Sequence, residues 1–130
     1  LVMMTTIAFS QGRRNVNSYE KLKLKKVALI TDYVALNQEE AEKFWPLYNE
    51  LQEKKRELRQ DRRYGRKRSV EIDYEKVNTE RIESELKKAL LEKEYYEKMK
   101  EILSAEKIYQ LHQAERTFKK ELLMLIKKNN

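Results

Sequence analysis

The residues of this chain that could do chemistry are few in kind. The single histidine, His112, stands three positions before Glu115. On a helix that spacing puts both side chains on one face, where they could offer two ligands to a metal ion. A tight site takes three or four ligands, so His112 and Glu115 are weak metal candidates, and the sequence implies no metal and no cofactor. The chain has no cysteine, which excludes disulfides, thiolate metal sites and a cysteine nucleophile. With two glycines and one histidine, neither a glycine-rich phosphate loop nor a Ser-His-Asp set can be assembled. Carboxylate pairs are common among 22 acidic residues, but helix surfaces alone account for them. These absences argue against an enzyme.

The other chemistry is electrostatic. Lys54 to Arg68 holds nine basic residues against Glu57 and Asp61, which accounts for the whole net charge of +7. From Glu71 to Glu106 the balance is acidic, eleven against seven, so the molecule is electrically polarised. The basic run attracts anionic groups over a Debye length of about 8 to 10 Å. RQDRRYGRKR, from Arg59 to Arg68, is basic enough for phosphate contacts, which makes a helical nucleic-acid-binding protein the rival reading. Gly65 is expected to break the helix that a groove-reading basic region needs, so no nucleic-acid partner is expected.

The elements that position these residues are helices. A chain of 130 residues, 39% charged, 40% hydrophobic and with one proline, reads as one elongated all-α domain. Its mean hydropathy of −0.92 leaves one protomer a thin core, and a second copy would supply the missing burial, so a homodimer is expected. The organising stretch is Leu36 to Leu58. Asn37 is an N-cap, Glu40 completes a capping box, and Leu36 is placed to staple onto Ala41. A helix from Gln38 to about Arg63 follows, with Phe44, Trp45, Tyr48 and Leu51 on its core face at spacings of three and four. Pro46 predicts a kink in it.

Ser18 is expected to cap a first helix from Tyr19 to about Val34. Tyr64 to Val77 reads as the one substantial loop, dividing two helical hairpins, and Asn78 or Thr79 as the cap of a third helix reaching about Ile102. The apolar stripe of that helix is Ile82, Leu86, Ala89, Leu90, Tyr96, Met99 and Leu103. At Leu103 the opening device returns: Ser104 is the cap, Lys107 takes the third helical position, and the fourth helix carries Phe118 and Leu122 as core residues. Ahead of the helices, residues 1–10 include the apolar run LVMMTTIAF, and Ala8-Phe9-Ser10 fits the pattern that signal peptidase cuts after. They read as an export-signal remnant, residues 11–18 as a flexible lead and 19–128 as the domain. The apolar run is too short to span a bilayer, which takes about 20 residues.

The two Leu-cap-x-x-x junctions, Leu36-Asn37-Gln38-Glu39-Glu40 and Leu103-Ser104-Ala105-Glu106-Lys107, resemble the paired LTxxQ motifs of the Spy/CpxP family of periplasmic chaperones and envelope-stress or metal-resistance accessory proteins. AEKFWPLYNE, from Ala41, and YQLHQAERTFKKELL, from Tyr109, are similar to family members labelled sensors of sigma-factor systems. Asn37 and Ser104 stand where the family has Thr, and Glu40 and Lys107 where it has Gln. Asn and Ser cap as well as Thr does. The resemblance implies a periplasmic protein of four helices in two antiparallel hairpins, elongated and curved, dimerising into a cradle that holds unfolded or envelope proteins without ATP. Lys54, Lys55, Arg59, Arg62, Arg63, Arg66, Lys67 and Arg68 would supply the basic part of its client-binding surface. A metal or envelope-stress sensor is the alternative within the family.

Overall fold

The computed structural model describes residues 18–67 and 71–130, with the side chains of 62–67 outside that description. The chain is all-α, with α1 at Ser18–Val34, α2 at Gln38–Lys67, α3 at Tyr74–Lys100 and α4 at Ala105–Lys128. The expected export signal and lead, up to residue 17, lie outside the described residues, as does Arg68. Among the described residues no helix is long and apolar enough to cross a membrane.

The helix starts follow from their caps. Asn37 Oδ1 accepts from the Glu40 amide at 2.8 Å, and Glu40 Oε1 accepts from the Asn37 amide at 3.1 Å, closing the capping box. Ser104 Oγ accepts from the Lys107 amide at 3.2 Å. The third helix differs from expectation. Its cap is Asp73, whose side chain accepts from the Lys76 amide, so Asn78 and Thr79 lie inside α3 and the Thr79 hydroxyl turns back to the Glu75 carbonyl. Asp73 wins because it comes first and Tyr74-Glu75 can continue a helix directly. Gly65 is also a correction: α2 runs through it to Lys67. An isolated glycine costs a helix only about 1 kcal/mol, which long-chain Arg and Lys neighbours with good helix propensity offset.

The loop after α2 does not divide two hairpins. α2 packs antiparallel on α3 across that connection, with Lys55 joined to Glu92, and α1 packs antiparallel on α4, with Lys25 joined to Glu121 and Tyr33 to Thr117. α2 and α4 run in the same direction and meet through side chains, Glu40 with Lys107, 67 positions further on. That offset recurs throughout. Leu36 and Leu103, Asn37 and Ser104, and the buried pair Phe44 and Leu111 all differ by it. Shifting Lys25–Glu121 by the same step brings it to Glu92 and Lys54, adjacent to the observed Glu92–Lys55 bridge and with its charges reversed. The fold is therefore two α-α units related by a pseudo-two-fold, each lending its first helix to the second helix of the other.

The core sits where the four helices meet: Ile30 and Val34 from α1, Phe44, Tyr48 and Leu51 from α2, Tyr95 and Met99 from α3, and Ile108, Leu111 and Ala114 from α4, with Leu103 between the last two helices. Phe44 stacks on Tyr48 at 5.3 Å and meets Trp45 edge-on at 5.0 Å. Three expected core residues lie at its margin instead: Trp45 packs against the cluster half-buried, and Phe118 and Leu122 on α4 are only partly covered. The expected α3 stripe also splits. Met99 and Leu103 are buried, Tyr95 replaces Tyr96 in the core, and Ile82, Leu86 and Leu90 are 58–60% exposed. On a helix of 3.6 residues per turn, Ile82, Leu86 and Leu90 point away from the face that carries Leu91, Tyr95 and Met99. α3 is thus apolar on two opposite sides, and α2 and the core cover only one of them.

Candidate binding surface

Glu40 and Lys107, the third helical positions of the two cap motifs, meet across the pseudo-two-fold at 2.5 Å. Lys107 Nζ also donates to the Ala35 carbonyl at 3.1 Å. Ala35 is the one described non-glycine residue at positive φ, 50°, and it ends α1 in the left-handed region. The bond from Lys107, then the capping bond to Asn37, holds the Glu40 carboxyl below the usual carboxylate range. The six motif residues therefore form one structural knot that fixes the junctions before α2 and α4.

The expected basic surface divides. Lys55 is spent on Glu92 at 2.8 Å with only 13% of its side chain exposed, and so helps hold α2 to α3. Lys54 bridges to Glu50 at 3.5 Å and lies over the Tyr95 ring. Arg59 is exposed, and Arg62, Arg63, Arg66 and Lys67 follow it on the last turns of α2. Because α2 and α3 are antiparallel, this basic end runs beside the first half of α3, where Ile82 and Leu86 are exposed. A second exposed apolar group, Leu123 to Ile126, closes α4.

His112 Nδ1 lies 3.6 Å from Glu115 Oε1. Among the described residues no group of three or more His, Asp or Glu is placed to hold a metal ion. Glu115 instead faces inward. Burial first, and then the negative charge of Glu115, push the Tyr48 phenol up. Lys26, from α1, donates to Gln52 at 3.3 Å and lies 5.4 Å from the Tyr48 ring centre and 5.7 Å from that of Phe118. Burial holds its pKa below the ordinary lysine value, against the attraction of Glu115.

Sequence reasoning missed a groove of about 380 Å³ between α2, α3 and α4, floored by Leu51, Met99, Ile108 and Leu111. Arg116 and Lys119 line its rim beside His112. The available signal was their three-residue spacing next to Leu111 and Ala114, but which helix would face them depends on the α2–α3 pairing. Comparison with known proteins brings no relative: no family model, no curated protein and no solved structure matches this chain.

Proposed function

We propose that this chain is an exported, ATP-independent chaperone-like protein of the Spy/CpxP kind, which works as a homodimer and holds unfolded or envelope proteins on a surface both basic and apolar. The observation that supports this most is the bare side of α3, where Ile82, Leu86 and Leu90 are exposed on the face turned away from α2, at the end of the molecule that carries the basic turns of α2. Exposed apolar stripes of this kind mark interaction surfaces rather than ordinary solvent faces. Charge draws an acidic segment of the client in, and the apolar side chains then hold it weakly enough for release. Since Lys54 and Lys55 are engaged in ion pairs within the fold, the capturing cations are Arg59, Arg62, Arg63, Arg66, Lys67 and Arg68.

The test is suppression of aggregation of a denatured acidic client, without nucleotide, at substoichiometric and equimolar ratios. The parent should suppress at equimolar ratio. Neutralising Arg62, Arg63, Arg66, Lys67 and Arg68 together should weaken capture, and about 0.3 M salt should weaken the parent in the same way by screening. No suppression by the parent at any ratio refutes the proposal. One observation favours the nucleic-acid reading as the competitor: α2 continues through Gly65, so the basic stretch is helical after all. That reading requires duplex binding whose logarithm falls linearly with that of salt, about 0.9 per phosphate contacted, and its absence removes the competitor.

A further inference from the structure

We propose that the groove between α2, α3 and α4 is a binding site for a monocarboxylate with an apolar tail, of the type of a medium-chain fatty acid. Its volume of about 380 Å³ falls within the roughly 300 to 1,000 Å³ of small-molecule sites. Its floor, Leu51, Met99, Ile108 and Leu111, offers a tail no polar partner. At the rim, the charges of Lys55 and Glu92 satisfy each other, and Glu115 lies 3.6 Å from His112 Nδ1 and feels the positive charge of Lys26. Arg116 and Lys119, one helical turn apart on α4, have no ion-pair or hydrogen-bond partner among the described residues. Two free cations above an apolar floor complement a carboxylate head with a hydrocarbon tail, and charge-assisted bonds from both would fix the head.

The pseudo-two-fold shows that this groove is no necessary gap of the architecture. Shifted by 67 positions, His112 falls on Trp45, Arg116 on Asn49 and Lys119 on Gln52. In that half the indole packs edge-on against Phe44 and Tyr48, and neutral amides stand where the groove carries cations. One unit fills the position with its own aromatic side chain. The other leaves it open and gives it positive charge. An unfolded client would be served by either half, so this asymmetry is specific to a small ligand and the inference does not rest on the chaperone reading.

The experiment is calorimetric titration of the full chain with decanoate, decanol and butyrate, each below its aggregation concentration. Decanoate should bind saturably at one per chain, decanol at least about tenfold more weakly because it lacks the charged head, and butyrate at least about tenfold more weakly because it lacks most of the tail that covers the apolar floor. R116Q/K119Q, which removes both charge-assisted bonds, should weaken decanoate about a hundredfold and leave decanol unchanged. H112W, which copies Trp45 into an exposed position, should abolish decanoate binding with the helical signal retained. The proposal is overturned if decanoate shows no saturable binding, if decanol binds as tightly, or if R116Q/K119Q titrates like the parent. Should H112W not fold, the charge variant alone decides.

Discussion

Phe44 and Trp45 are neighbours in sequence that the fold treats differently, and truncating each in turn measures how the core is organised. Phe44 is fully buried, with the rings of Trp45 and Tyr48 at 5.0 and 5.3 Å. Phe44→Ala empties a closed site and should cost about 4 kcal/mol, within the range for core Phe. Trp45 is half-buried at the margin. If it covers about 100 Å² of the roughly 200 Å² an indole can bury, its removal costs about 2.5 kcal/mol at about 25 cal/mol per Å². At about 4 °C per kcal/mol for a chain of this size, the melting temperature should fall by about 16 °C in the first case and about 10 °C in the second. Leu111, the counterpart of Phe44 in the other α-α unit and 1% exposed, should behave like Phe44, with Leu111→Ala costing about 3 to 4 kcal/mol. Urea unfolding followed by far-UV circular dichroism gives all three values. The reasoning fails if Trp45→Ala costs as much as Phe44→Ala, or if Leu111→Ala costs less than about 1 kcal/mol, because then neither burial nor the pseudo-two-fold ranks the core.

Ala35→Gly should stabilise the chain by about 0.5 to 1 kcal/mol, since a left-handed alanine carries about 1 to 2 kcal/mol of strain that glycine escapes, less the extra freedom glycine gives the unfolded chain; an unchanged or lower melting temperature would contradict it. Glu40 titrates below its ordinary 4.5, so its stabilisation is complete above that value and is lost as pH falls through the lower folded-state value. Glu40→Gln should therefore lower the melting temperature at neutral pH and make no difference once the parent's Glu40 is protonated; a constant gap across the whole range would contradict this. Leu86→Lys, on the bare side of α3, should shift the stability of the isolated chain by less than about 0.5 kcal/mol yet weaken both self-association in sedimentation and client holding; losing neither would leave the stripe without a role.

What the sequence disclosed was what is local. A capping box needs four residues, and Asn37 with Glu40, and Ser104 with the Lys107 amide, are formed as their spacing predicts. The boundary at Asp73 was missed because three good caps, Asp73, Asn78 and Thr79, compete within seven residues, and the stretch from Tyr74 to Val77 has no apolar period to mark it as the helix's first turn. The stripe on α3 was misassigned for a different reason. A helix apolar on two faces has no single phase, so Tyr95 and Tyr96 cannot be ranked until α2 is placed. The basic run was visible in composition, but that Lys55 would be consumed by Glu92 while Arg116 and Lys119 stay free depends on contacts between residues far apart in the chain.

The pairing of α1 with α4 also sets an order of events. Local contacts close first because short loops cost the least entropy, so α2 and α3 can zip together as soon as both exist. Among the described residues the backbone of α1 packs on α4 and on no other helix, and α4 is the last of these four helices to be made. Until α4 is made, α1 therefore lacks the helix it packs on, and Ile30 and Val34, almost fully buried in the finished fold, lack that part of their cover. The molecule spends its own assembly as an unfolded client, with an apolar helix in need of cover, and truncation within α4 would leave it permanently in that state.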